Sequence, residues 1–455
     1  MKKAKGKEKR NAAPTLSLCM IVRNEEACLG RCLESVRGHV DEIIVVDTGS
    51  TDRTVEIARR YGARIYHHPW ENDFSKHRNQ SLSYATGNWI LQLDADEELF
   101  AEDGHRLRDI IPTDRADHYL CQFYDMKKDG SVHGVFYLVR LFRNGMGMAY
   151  ERKVHNQLLT QGRGAYSDIR VRHYGYDLTK EQMEAKHRRT TTLLKEMLVH
   201  DPEDAYCIYQ LSSSYSMNRE FDKAVAHGEA ALALMRRKSL KNSYFSTVFY
   251  TVAHGHYALG RIDDAECTCL EALDVFPKQM DMCHLLADIY FRRHEAGRYK
   301  AVAQRYLSIY DETVKDPAVI GGYFCHTFTR RHEIYFGLAC VHILEQEFAV
   351  ADSFFRKAFE DSGRQTKMAD HICRFYFGQT LDDKALEWLV RACTPGPHRG
   401  VAPDVNPGKT AYLLAESWSR RGLWHLAEPA LRLAVQADPA NFDYEHFSRL
   451  VPASG

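Results

Sequence analysis

Nowhere does this chain offer the roughly 18 predominantly apolar residues that a membrane-spanning helix requires. Its first apolar run, Leu16 to Val22, is too short for a secretory signal and is interrupted at once by Arg23-Asn24-Glu25-Glu26, so a cytoplasmic protein is expected. There is no excess of either charge, with 61 Lys plus Arg against 61 Asp plus Glu. That balance argues against a general binder of nucleic acid or anionic membrane, which needs a basic surplus. The 12 cysteines include no Cys-x-x-Cys pair, so neither a zinc site nor a disulfide framework is supported, and most read as reduced core residues. No glycine-rich phosphate loop with a lysine follows the first strand, which counts against a nucleotidyltransferase.

What is present divides in two. Between Leu16 and about His173 short apolar strands (Leu16 to Val22, Glu42 to Val46) alternate with helical segments (Ala27 to Val36, Thr54 to Tyr61). Runs that are apolar throughout are strands covered on both faces, and this alternation predicts a parallel, doubly wound α/β sheet. After about Asp177 helices take over. The reading is a disordered basic tail over residues 1–14, an α/β catalytic domain over 15–178, a joining helix over 179–200 and an all-helical domain over 201–455. Pro395-Gly396-Pro397 and Val401 to Pro407 read as an extended loop between the last helices.

The chemistry gathers at two strand ends. Trp89-Ile90-Leu91-Gln92-Leu93 drives straight into Asp94-Ala95-Asp96-Glu97-Glu98. Carboxylates at the C-terminal end of a strand are hard oxygen ligands placed where open α/β sheets bind ligands. They suit Mg2+ or Mn2+, which keep waters and bridge to phosphate. Upstream, Asp47 leaves the second strand before Thr48-Gly49-Ser50-Thr51-Asp52, where a carboxylate can accept a hydrogen bond from a base or ribose and Gly49 allows a tight turn.

Taken in order, Ile21-Val22-Arg23-Asn24-Glu25-Glu26, Val45-Val46-Asp47-Thr48-Gly49-Ser50-Thr51-Asp52, His77-Arg78-Asn79 and Ala85 to Glu97 resemble family 2 glycosyltransferases of the GT-A fold, which use nucleotide-activated sugars. The resemblance covers about residues 15 to 178. It implies a nucleotide-sugar site formed by Val22, Asn24, Glu25, Asp47, Arg78 and Asp94, with Asp47 at the nucleobase and Asp94 near the ribose and metal. Asp96 is then the metal ligand, with Glu97 and Glu98 capping the next segment. For the acceptor side, Glu151 in Tyr150-Glu151-Arg152-Lys153-Val154-His155 is taken as the catalytic base, since a carboxylate in a partly dry cleft has its pKa raised toward neutrality. His155 is assigned to donor or acceptor, and His173 to the metal or diphosphate. Trp70 is a candidate apolar wall, and of His67 and His68 one packs and one faces water.

In the helical half an apolar residue, two spacers, Ala, six spacers and Ala recur as Phe221/Ala224/Ala231, Ile262/Ala265/Ala272, Phe348/Ala351/Ala358 and Trp424/Ala427/Ala434. This is similar to the tetratricopeptide signature, loosely kept, at intervals of 41, 86 and 76 residues; a generic helical bundle is the alternative. Such repeats stack into a superhelix whose concave face commonly holds extended peptides. The combination resembles bacterial peptide S- and O-glycosyltransferases that modify bacteriocins and flagellin. It implies an inverting, metal-dependent transfer from a UDP-sugar to Ser, Thr or Cys of a peptide or protein, and a homodimer is expected. The alternatives are a lipid-linked or lipopolysaccharide-core acceptor, or a scaffold whose transferase domain is inactive.

Overall fold

Four of the apolar runs pair side by side. β1 (Leu16–Val22), β2 (Glu42–Asp47), β3 (Arg64–His67) and β4 (Trp89–Gln92) lie parallel in the order β3-β2-β1-β4. They are linked by α1 (Leu29–Ser35), α2 (Thr54–Arg60) and α3 (Phe74–Ser83). The computed structural model describes residues 13–127, 130–175, 179–240, 245–320, 324–393 and 406–438; residues 1–12, Pro395-Gly396-Pro397 and the last residues from 439 lie outside these.

Beyond β4 the sheet departs from the all-parallel expectation. β5 (Glu97–Leu99) and α4 (Gly104–Ile110) precede a hairpin of β6 (His118–Met126) and β7 (Val132–Arg143). β7 runs antiparallel to both β4 and β6, and β10 (Gly164–His173) pairs parallel with β6 and antiparallel with β5. β6 alternates buried and half-buried residues, the period of a hairpin strand with one wet face, where β1 is buried almost throughout. A small ribbon of β8 (Ala149–Glu151) and β9 (Gln157–Leu159) completes this GT-A domain. Its core is Leu16, Leu18, Met20, Leu33, Val45, Leu91 and Phe123, all at most 1% exposed.

Then come the helices α5 (Lys180–His200), α6 (Ala205–Met217), α7 (Phe221–Lys238), α8 (Phe245–Ala258), α9 (Ile262–Val275), α10 (Met280–Arg292) and α11 (Ala296–Lys315). They continue with α12 (Arg331–Leu344), α13 (Phe348–Asp361), α14 (Thr366–Gly378), α15 (Asp382–Cys393), α16 (Pro407–Arg420) and α17 (Trp424–Ala437). The chain forms two compact units: residues up to Leu285 with Ser308–Phe328, and Leu286–Leu307 with Thr329 onward. No helix among the described residues is long and apolar enough to cross a membrane.

The repeat motif marks helix starts. Phe221, Ile262, Phe348 and Trp424 each open a helix, and all eight motif alanines are 0% exposed. Two more helices keep the spacing with other residues. α15 begins at Asp382 and buries Ala385 and Ala392; α11 begins at Ala296 and buries Tyr299 and Tyr306 where the alanines would be. The starts at 221, 262, 296, 348, 382 and 424 are therefore 41, 34, 52, 34 and 42 residues apart. Each of the longer gaps seen in the sequence conceals one regular 34-residue step.

In the first unit, α5 buries Leu193 and Leu194 against Val154, Cys207, Leu211 and Tyr215, with Phe74 packed beside them. The same unit holds an excursion after α11. Because β4 is only four residues long, the first half of β7 has an open edge, and Val135 pairs there with Cys325 through two backbone hydrogen bonds of 3.0 and 2.9 Å. Phe324 stacks on Phe136 at 5.1 Å. The buried Asp281 carboxylate accepts from the His326 N–H (3.0 Å) and from the Thr327 N–H and hydroxyl (2.9 and 2.7 Å), fixing the segment.

Candidate active site

Parallel strands β1, β2 and β4 end on one edge of the sheet, so Val22, Asp47 and the residues after Gln92 face a common crevice. Two turns are tied together there. Asn24, at a left-handed φ of 56°, accepts through Oδ1 from the Thr51 N–H (2.8 Å), and its own N–H donates to Ser50 Oγ (3.0 Å). The Glu25 N–H donates to Thr54 Oγ1 at 2.7 Å. Gly49 takes φ 107°, which a side chain would strain.

Asp47 is 4% exposed, accepts from the Ser50 N–H at 3.1 Å and lies 3.1 Å from His67 Nδ1. It lines a cleft of about 380 Å³ with Arg23, Thr48, Gly49, His67, His68, Pro69 and Trp70. Trp70 is stacked on His77 at 5.3 Å and meets Phe74 edge-on at 4.7 Å. His68 is half-buried with its Nε2 2.9 Å from the Tyr84 hydroxyl, whereas His67 is exposed.

Deeper in, Arg78 is 7% exposed and lies 2.8 Å from the Asp94 carboxylate. A residue to which the sequence assigned no role completes the cluster: Arg140 of β7, also 7% exposed, is 2.5 Å from Glu97 and 3.5 Å from Asp94, and it bonds to Gln92. Burial pushes the Asp94 carboxyl up, but Arg78 and Arg140 outweigh it and hold the group well below the usual carboxylate range. Glu97 is a strand residue rather than a cap. It is 3% exposed, pairs with Arg140 and accepts the Asp94 N–H at 2.9 Å. Glu98 likewise lies in β5, where it accepts from the Tyr174 hydroxyl at 2.9 Å.

Asp96 and His173 meet beside this cluster, with Nε2 3.5 Å from Asp96 Oδ2. Asp125, 1% exposed, holds the other ring nitrogen at 2.8 Å, and its second oxygen is buried without a partner. Burial opposes the charged imidazole, but the hydrogen bonds to Asp125 and Asp96 prevail and raise His173 to about 10. Glu25 faces the same acids: burial, only partly offset by the Cys28 thiol, and the charge of Asp96 push its pKa up.

The two acceptor-side candidates sit on the β8–β9 ribbon. Glu151 is exposed, so the partly dry surroundings expected of it are absent. Its neighbour Tyr150 is fixed, with Asn79 bonding to both its N–H and its carbonyl (2.7 and 2.8 Å) and its hydroxyl 3.1 Å from Gln92. His155, at φ 48°, is exposed in the turn between the two strands, with protein packed around its ring. That surround and the charge of Lys186 hold its pKa down, to about 4.

Asp47, Arg78, Asp94, Asp96 and His173 thus share one edge of the sheet. Sequence reasoning missed Arg140 and Asp125. A signal existed for the first, since Arg140 interrupts the apolar run Val135 to Phe142.

Residues 17–157 match glycosyl transferase family 2. The chain is 40% identical over 213 residues to a TPR repeat-containing protein of Synechococcus elongatus, covering 44% of this chain and 52% of that one. It is 30% identical over 201 residues to the SPbeta prophage-derived glycosyltransferase SunS of Bacillus subtilis, covering 43% and 48%. It spans about half the length of these curated relatives. Of the solved structures, the C-terminal part of a TPR repeat-containing protein from Cytophaga hutchinsonii aligns over 59% of this chain and 98% of its own, at 12% identity and a TM-score of 0.41.

Proposed function

We propose that the family 2 glycosyltransferase domain of this chain transfers a sugar, with inversion, from a UDP-sugar to a Ser, Thr or Cys side chain of a peptide or protein held by the helical repeats, with Mn2+ or Mg2+ as cofactor. One observation carries this reading. On one sheet edge, the cleft at Asp47 and the Arg78–Asp94 pair, both within the stretch that matches the family, are accompanied by the Asp96–His173 pair, whose histidine lies beyond that stretch.

The residues present suit a divalent cation. A histidine whose Nδ1–H is held by a buried carboxylate points Nε2 outward, here toward a second carboxylate, and a cation bound there would displace the Nε2 proton. Asp96 and His173 would hold the ion, which when bound would neutralise charge developing on the departing diphosphate. Arg78 and Arg140 fix Asp94 as an anion beside the ribose position, and Asp47 accepts from the base. Glu151, on the rim beside the rigid Tyr150, is the group assigned to take the acceptor proton. An acidic thiol acceptor would need that base less than a hydroxyl would. The chain is further proposed to act as a homodimer.

The test is incubation of the purified chain with UDP-sugars, Mn2+ and candidate peptides, reading UDP release and the peptide mass. A hexose or N-acetylhexosamine mass increment abolished by EDTA supports the assignment. Label confined to glycolipid would move the acceptor to a lipid-linked sugar. Neither turnover nor UDP binding would leave a repeat scaffold with an inactive domain.

A further inference from the structure

Helix α5 follows the family-matched stretch and reads from the sequence as a joining element, yet it carries charge to the mouth of the cleft. Its inward face is set by Leu193, 5% exposed, which packs in the cluster containing Val154 and Phe74. Toward its N-terminus the same side of the helix emerges into solvent at Arg189 and Lys186, both exposed, since positions 186, 189 and 193 fall on one side of a helix. The Arg189 guanidinium lies 5.6 Å from the centre of the Phe74 ring, and Phe74 meets Trp70, a wall of the cleft, at 4.7 Å. Lys186 stands near enough to His155 to disfavour its protonation, and Arg23 lines the cleft itself and repels Arg189.

Among the described residues none of Arg23, Lys186 and Arg189 has an ion-pair partner, whereas the adjacent Arg188 lies 3.8 Å from Glu184. The carboxylate in the cleft, Asp47, is occupied by the Ser50 N–H and by His67. Burial and the charge of Arg23 push the Arg189 pKa down, which marks the two cations as close enough to repel. Like charges gathered beside an aromatic-lined cleft whose one carboxylate is already engaged are stabilised by an anion. A guanidinium fork matches phosphate oxygens in pairs, and stacking on Phe74 fixes the plane of Arg189.

We propose that Arg23, Lys186 and Arg189 form a cationic wall that binds the diphosphate of the nucleotide-sugar donor, so that part of the donor site comes from outside the matched domain. The proposal rests on the reading of the cleft as a nucleoside-diphosphate-sugar site. The test titrates the full chain, with Mn2+ present, with UDP and with uridine by calorimetry. Arg189→Ala should weaken UDP about tenfold or more while changing uridine less than about twofold, as expected for loss of a charge-assisted bond. Arg189→Lys should recover part of the loss, and Arg188→Ala should match wild type. Should Arg189→Ala fail to fold, Lys186→Met is put through the same comparison. Unchanged UDP affinity, or equal loss of UDP and uridine, overturns the wall alone. A wild-type chain that binds neither ligand removes the donor reading and the wall together.

Discussion

Arg140, 2.5 Å from Glu97, is the counter-charge to that buried carboxylate, and at 3.5 Å it is a second partner to Asp94, which Arg78 also holds. Replacing it alone strands the Glu97 charge, so Arg140→Met should cost about 3–5 kcal/mol, whereas Arg140→Met with Glu97→Met should cost much less. Urea unfolding of the full chain compares the two; equal losses would mean that the ion pair is not what Arg140 contributes. Asp125→Asn should leave the fold intact and weaken Mn2+ binding about 10–100-fold, because the His173 ring loses the carboxylate that sets its tautomer. Glu151→Gln should keep UDP affinity and reduce transfer sharply, and near-normal transfer would remove Glu151 as the base. At this scale legibility followed chain distance. The strand-end positions of Asp47, Asp94 and Asp96 could be read because Asp47 ends its strand and the other two follow theirs within four residues. Arg140 and Asp125 could not, since their partners depend on β7 lying beside β4 and on β10 lying beside β6.

The strands and helices nearest the N-terminus were the most legible elements. β1 occupies the predicted Leu16 to Val22 and α2 starts at the predicted Thr54, because unbroken apolar runs and helical spacing are local signals. The mixed half of the sheet was hidden because pairing direction is set by neighbours, not by the strand's own residues. The repeats were half legible for another reason. Alanine marks a close helix approach, but α11 fills the same positions with tyrosines, and the space is recovered from the next helix. A Cβ on Gly337 of α12 would come 1.9 Å from the Tyr299 hydroxyl, which donates to the Ile334 carbonyl at 3.1 Å. Gly337→Ala should therefore destabilise the second unit by about 1–3 kcal/mol. Tyr299→Phe should relieve part of that loss in the double variant, as thermal melting would reveal; additive losses would mean that the two side chains do not meet.

For the whole molecule, the compact first unit extends well past the end of the family match at residue 157 and includes α5 to α9. Val154 and Phe74 are covered by Leu193, Leu194 and Leu211, so a chain cut at Asp177 bares that cluster. Such a chain should melt lower and bind more of a hydrophobic dye than one ending at Phe328, and equal melting would mean that the α/β domain is self-sufficient. The pairing of Val135 with Cys325 has a consequence in time. The partners are 190 residues apart, and at about 5–20 residues per second a ribosome takes roughly 10–40 s to make the second after the first. During that interval β7 waits with a bare edge, a template for chaperones or for neighbouring nascent chains. The sheet that carries Arg140 is completed only when most of the helices have been synthesised.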